Sequence, residues 1–133
     1  MRAVKRWRYY CDFCNKSLGT KQAMVWHEQS CTMNPNRVCR MCEHVKDWRD
    51  DEPKQRDEII GYLQSAVVHD EHDEFVSWRW RPGLSEAEVV DRLRELCGQC
   101  PVCMLAMIRQ SGLPPYMFEH WKMKADMAEI WEA

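Results

Sequence analysis

A chain of 133 residues with eight cysteines, 45% hydrophobic side chains and a formal charge of −2 has room for one domain or two very small ones, and no more. It contains no apolar run of membrane-spanning length, and Met1 to Arg8 lacks the apolar core of a signal peptide. The cysteines fall in C-x2-C pairs with a matched histidine, which points away from a secreted disulfide framework and toward metal-held thiolates in a reducing, cytoplasmic compartment.

The near-neutral total hides an asymmetry. Residues 1–40 hold eight Lys/Arg and two Asp/Glu, a net of +6, and residues 41–133 hold eleven and nineteen, a net of −8. Such a head is compatible with nucleic-acid contact, and equally with a solvated surface whose halves attract each other. The chain opens with Arg2, Lys5, Arg6 and Arg8 interleaved with Trp7, Tyr9 and Tyr10, side chains that can hold phosphates and stack bases. The alternative is that Tyr9 packs inward and Trp7 covers its edge.

Next come Cys11, Cys14, His27 and Cys31 in the order C-x2-C-x12-H-x3-C. Tetrahedral zinc takes thiolates and neutral imidazole, and this spacing is a strong zinc signature. Tyr9, Leu18 and Met24 are apolar where a small core behind the metal needs them. On these residues the segment 7–32 resembles the ββα zinc finger family, with Cys31 in place of the usual second histidine. The resemblance implies a helix from about Thr20 to Ser30, with base-reading positions at Thr20, Ala23 and Trp26 and an accessory one at Gln22. Only Gln22 among these can pair bidentately with a base edge, so a structural or protein-binding finger is expected ahead of a sequence-specific reader. If the head does touch nucleic acid, the candidate residues are Arg2, Lys5, Arg6, Arg8, Lys21 and Gln22.

Residues 32–38 read as a linker turned by Asn34-Pro35-Asn36, short enough to hold the first site close to the next knuckle. The division expected is a finger with its basic lead-in over 1–33 and a helical body over 34–133. Cys39 and Cys42 open a second knuckle whose partners must come from Cys97, Cys100 and Cys103. The set expected is Cys39, Cys42, Cys100 and Cys103, with Cys97 spare or replacing Cys103. Pro101 suits a first helical turn, and a helix start favours thiolate. A knuckle joined to a helix start resembles the ligand arrangement of treble-clef-like zinc sites. Two zinc ions are thus the implied cofactors, the second tying residue 39 to residue 103.

The middle, 43–99, reads as helical and acidic, without a hairpin. Residues 43–58 are too charged for a core and read as a loop. Ile59, Ile60, Leu63 and Val67 recur at helical spacing and predict a helix over about 53–68. His69-Asp70-Glu71-His72-Asp73-Glu74 reads as its solvated end, with metal binding as the alternative. Trp78 and Trp80 alternate with Arg79 and Arg81, which predicts a short strand with its tryptophans inward. Ser85 and Glu88 form a capping box ahead of a helix striped by Val89, Val90, Leu93 and Leu96. The helix from Cys100 runs to about Ser111, with Met104, Met107 and Ile108 on one side, and Gly112-Leu113-Pro114-Pro115 ends it. A last helix is predicted over about Tyr116–Trp131, with Met117, Trp121, Ala125, Ala128 and either Trp131 or Ile130 on a broad apolar side. The methionines at 104, 107, 117, 123 and 127 make this third adaptable, as gap-filling core or as a groove for a partner.

Enzymatic readings find little support. His72-Asp73-Glu74 followed by Cys100-x2-Cys103 resembles in outline the zinc deaminase signature. However, Pro101 follows the first cysteine where that signature has proline before it, and the knuckle at Cys39 and Cys42 would lose its partners. No phosphate-binding loop, nucleophile elbow or dinucleotide fingerprint is present. The sequence therefore predicts a mainly α, zinc-stabilised protein with small β content and no catalysis. It is read as an adaptor that docks on a protein partner, with no membrane contact and no small-molecule substrate. A nucleic-acid-associated regulator is the alternative and a deaminase the minor one. The combination of a finger with a second knuckle pair is similar in a general way to accessory zinc proteins of bacteriophages and mobile elements.

Overall fold

The chain folds as a mainly α protein with two small antiparallel sheets, described by a computed structural model over residues 1–47, 49–50, 52–72 and 75–132, with the side chains of 70–72, 75–76 and 131–132 outside the description. In chain order the elements are β1 (Tyr9–Tyr10), β2 (Ser17–Leu18), α1 (Lys21–Ser30), α2 (Met41–Val45), α3 (Arg56–Ser65), β3 (Val67–His72), β4 (Phe75–Trp80), α4 (Glu86–Leu96), α5 (Pro101–Ser111), a 3-10 turn (Pro115–Phe118) and α6 (Met123–Glu132).

Capping chemistry sets several boundaries. Thr20, in extended backbone, accepts the Ala23 amide through its side chain at 3.2 Å and starts α1. Ser85 accepts the Glu88 amide at 3.3 Å and starts α4. Pro101 sits in the first turn of α5, where its missing amide hydrogen leaves no bond unmade. Gly112 ends that helix at a φ of 82°, a left-handed conformation that favours glycine.

The main core lies between α3, α4, α5 and the 3-10 turn. Leu63, Val89, Leu93 and Met104 are fully buried in it, and the four apolar residues of the α4 stripe all face it. Two much smaller clusters lie apart from this core, each with three buried residues. Cys11, Met24 and Cys31 form one, and Met41, Val45 and Cys100 form the other. In the first, Tyr9 does not join the core as expected. It stays 37% exposed at the hairpin edge, paired with Leu18 across β1–β2, while Met33 from the linker packs behind the cluster.

The middle of the chain departs from the helical expectation. α3 stops at Ser65, and residues 67–72 pair antiparallel with 75–80 in the register Val67↔Trp80 and His69↔Trp78. The apolar spacing misleads because Val67 fits both periods: four residues after Leu63 on a helix, and opposite Trp80 on a strand. Val67-Val68 is β-branched and faces an aromatic strand, a combination that favours sheet. Val67, Trp78 and Trp80 pack against the main core, so the tryptophans do point inward, and Trp80 meets Phe118 edge to face at 5.3 Å. The expected solvated helix end at 69–72 is therefore strand, and Asp73 and Glu74 lie outside the described residues.

The expected last helix is also broken. Met117 and Phe118 sit buried in the 3-10 turn, and α6 begins only at Met123. The carboxylate of Glu86 accepts the amides of His120 and Trp121 at 3.0 and 3.4 Å, which withdraws both from a helical ladder. Trp121 donates its indole N–H to Asp126 at 3.0 Å, and Asp126 also accepts from Arg94 at 3.0 and 3.1 Å. Arg94 thereby fastens α6 to α4 through a two-pronged carboxylate contact.

Candidate metal centres

The first cluster is local. β1 and β2 form a hairpin whose turn carries Cys11 and Cys14, and α1 carries His27 with Cys31 at its end. The four donor atoms lie within 4.8 Å of one another, and His27 Nε2 sits 3.2 Å from Cys14 Sγ. Nε2 is thus the nitrogen turned toward the sulfurs, and a metal held there would require the ring proton on Nδ1. The knuckle amides point at sulfur: Phe13 N–H donates to Cys11 at 3.3 Å and Lys16 N–H to Cys14 at 3.5 Å. The Lys16 amide, helped by His27, holds the Cys14 thiol down at about 7, whereas burial pushes Cys31 up.

The second cluster is assembled from distant parts of the chain. Cys39 and Cys42 flank the start of α2, and Cys100 and Cys103 lie at the start of α5. Cys39 Sγ is 3.4 Å from Cys100 Sγ, Cys42 Sγ is 3.4 Å from Cys103 Sγ, and all four sulfurs fall within 4.8 Å of one another. Four sulfurs at zinc–thiolate distance around one ion would be about 3.8 Å apart, so the dimensions suit a tetrahedral ion. All eight cysteines are free thiols, as metal ligation requires. Their proton affinities split within the cluster. The hydrogen bond with Cys100 drives Cys39 down and holds Cys42 at about 7, while Cys103 is pushed up by Cys100 and then by Cys39. Four bare thiolates repel too strongly to coexist; a divalent cation at their centre removes that conflict. Among the described residues these two are the groups that can hold a metal ion.

Cys97 takes no part in either group. It is fully buried in the main core, and burial lifts its thiol to about 12. Gly98 and Gln99 both adopt positive φ, 61° and 65°, and reverse the chain so that Cys97 faces the core while Cys100 faces the cluster. The alternative in which Cys97 replaces Cys103 is thus not the arrangement found.

One side chain at the second cluster lay beyond sequence reasoning. Arg37, half-buried in the linker, donates to Cys103 Sγ at 3.6 Å and to the Ser30 carbonyl at 3.4 Å. Burial pulls its proton affinity down, but the Cys39 and Cys103 sulfurs outweigh that and raise it. A guanidinium in this position would offset the surplus negative charge that four thiolates leave on a divalent ion held there. Nothing in ligand spacing marks it; only the fold brings residue 37 to residue 103.

The basic head presents a mixed picture. Arg2, Lys5 and Arg6 are exposed, as are Lys21 and Gln22 at the start of α1. Arg8 is spent on the hairpin, donating to Ser17 Oγ at 2.9 Å. Arg6, Trp7, Arg8, Thr20 and Lys21 line a cleft of about 510 Å³. Of the three base-reading positions that the finger resemblance implies, Thr20 is occupied as the helix cap, and Trp26 carries the Arg40 guanidinium 3.9 Å from its ring centroid. As for the deaminase pattern, the side chains of His72 and Glu74 lie outside the described residues, and Cys100 and Cys103 sit with the Cys39–Cys42 knuckle.

Among the described residues no helix is long and apolar enough to cross a membrane. Comparison of the chain with protein-family models, with curated proteins and with solved structures finds no match.

Proposed function

We propose that this chain is a zinc-organised, non-catalytic adaptor that docks on a protein partner, with its first cluster acting as a ββα-type finger and its second as a brace for the body. The observation that carries this reading is the composition of the donor sets. Each offers four protein ligands, the full complement of structural zinc, whereas catalytic zinc keeps a position open for water or substrate. Free thiols gathered in two such sets also fit a reducing, cytoplasmic setting. The docking part rests on the helical end of the body, where α5, the 3-10 turn and α6 leave an apolar groove. Isolation of the tagged full chain from its own cell at moderate salt, with protein and nucleic acid in the eluate both analysed, tests this. A protein retained in fixed ratio supports the adaptor; recovery of nucleic acid alone overturns it.

A second reading is favoured by one observation. Among the described residues, nine of the ten large apolar side chains that stay exposed lie in residues 1–38, including Trp7, Tyr10 and Trp26. They share that stretch with the +6 head, the combination by which single-stranded nucleic acid is stacked and neutralised. Binding of a single-stranded oligonucleotide that falls steeply with salt and weakens in Arg6→Ala would establish this reading; no binding at about 50 mM salt would remove it.

A further inference from the structure

The groove at the helical end carries a charge pattern of its own. It measures about 740 Å³, within the range of ligand pockets. Ile108 and Leu113 from α5 and its end, Phe118 from the 3-10 turn and Trp121 form its floor. Met33 and Met123 stand at its sides, unbranched and adaptable in shape. Three of its lining residues are cations: Arg109, Lys122 and Lys124, all exposed.

These cations are not spent on carboxylates. Arg109 donates to the Thr32 hydroxyl at 2.8 Å and Lys122 to the Glu119 carbonyl at 2.9 Å. Neither they nor Lys124 form an ion pair with any described residue. Elsewhere in the same part of the chain, Lys46, Arg56, Arg92 and Arg94 are each paired with an acid, and Arg49 and Lys54 pair with no described acid but lie apart from the groove. Residues 41–133 are acidic as a whole, eleven basic against nineteen acidic. What distinguishes the groove is that three cations, unpaired among the described residues, gather around one apolar surface on a body of the opposite sign, and such local complementarity selects partners by charge.

We infer that this groove receives an acidic, amphipathic polypeptide segment, whose large apolar side chains fill the floor while its carboxylates meet Arg109, Lys122 and Lys124. Three cations spread over α5 and the start of α6 match a chain of several carboxylates better than the single head group of a fatty acid. The inference rests on the adaptor reading and names the chemistry of its partner.

The test uses the full zinc-loaded chain and two labelled synthetic peptides, identical in their Leu and Phe at helical spacing but carrying Glu or Lys at every other position. The Glu peptide is expected to bind at least tenfold more tightly than the Lys peptide. Lys122→Glu combined with Lys124→Glu is expected to reverse that preference, and because both sites are exposed the variant should keep its helical circular dichroism. Leu105→Asp, at the groove wall, is expected to abolish binding of both peptides. Tighter binding of the Lys peptide, or a preference unmoved by the double charge reversal, overturns the acidic assignment and leaves the adaptor standing. Binding of decanoate but of neither peptide overturns docking of a polypeptide at this groove altogether.

Discussion

The two metal clusters use nearly the same ligands in opposite ways. The first joins residues close along the chain, with Cys14 and His27 thirteen apart; the second joins Cys39 to Cys100 and Cys42 to Cys103, each sixty-one apart. By loop closure alone the longer link costs about 1.4 kcal/mol more to form. In return it fixes topology, since it holds α2 against the start of α5. A local site makes a folded patch; a distant one decides what the rest of the chain can pack against. Neither has much apolar cover to stand on packing alone, because each buries only three residues, whereas the core of α3, α4 and α5 is broad.

Metal removal breaks this comparison most directly. A structural zinc contributes on the order of 10 kcal/mol to folding in small peptides. A strong chelator should release two equivalents of zinc and abolish amide protection in α1 and α2, while Leu93 and Met104 in the main core remain slow to exchange. Single variants then separate the sites. Cys14→Ser should halve the bound zinc and leave the melting of the body almost unchanged. Cys100→Ser should halve it too, and lower the melting temperature of the body, because α2 loses its anchor on α5. Equal melting in the two variants would mean that the distant link carries no more of the fold than the local one.

The two sites also differ in how far they can be read without coordinates. C-x2-C-x12-H-x3-C marks its four ligands by spacing alone, and the hairpin and the helix over about Thr20 to Ser30 are what its resemblance to ββα fingers implies. For the second site, spacing offers three cysteines for two places. What decides between them is the Gly98-Gln99 reversal, a backbone conformation that Gln99 does not advertise. The α4 stripe and Pro101 are legible because caps and periodicity are local. The hairpin over 67–80 was hidden by apolar residues that satisfy two periods at once. The break before Met123 was hidden because its cause, Glu86, lies more than thirty residues away.

Cys97 sharpens the contrast between core thiol and ligand thiol. Its proton affinity is raised by burial from the ordinary 9.0 to about 12, so the folded state keeps it neutral where the unfolded chain would ionise it. Its contribution to stability is complete below pH 9 and is lost as pH rises toward 12. The linkage slope is negative there because the unfolded chain binds fewer protons. Full loss would amount to roughly 4 kcal/mol. Denaturant unfolding across that interval should show a steeper alkaline decline in the wild type than in Cys97→Ala. A wild type and variant that decline in parallel would assign the alkaline loss to other groups.

The smallest effect concerns the residue that joins the clusters. Arg37 holds the carbonyl of Ser30, next to the ligand Cys31, and also reaches Cys103 across the linker. Adjacent Val38 is tied to the same helix end through the Gln29 carbonyl at 2.7 Å, so the backbone here stays in place when the guanidinium is removed. Arg37→Ala should therefore leave both zinc ions bound and both sites folded. Removal of an outer partner of a metal ligand typically weakens metal binding about 10- to 100-fold, so the variant should lose the second ion faster to a competing chelator. Arg37→Lys keeps the charge but not the forked donor, and should fall between wild type and alanine if charge and geometry both matter. The release rate of the first ion discriminates further. If it rises together with that of the second, the link through Ser30 couples the two sites; if only the second changes, Arg37 serves the four-cysteine cluster alone.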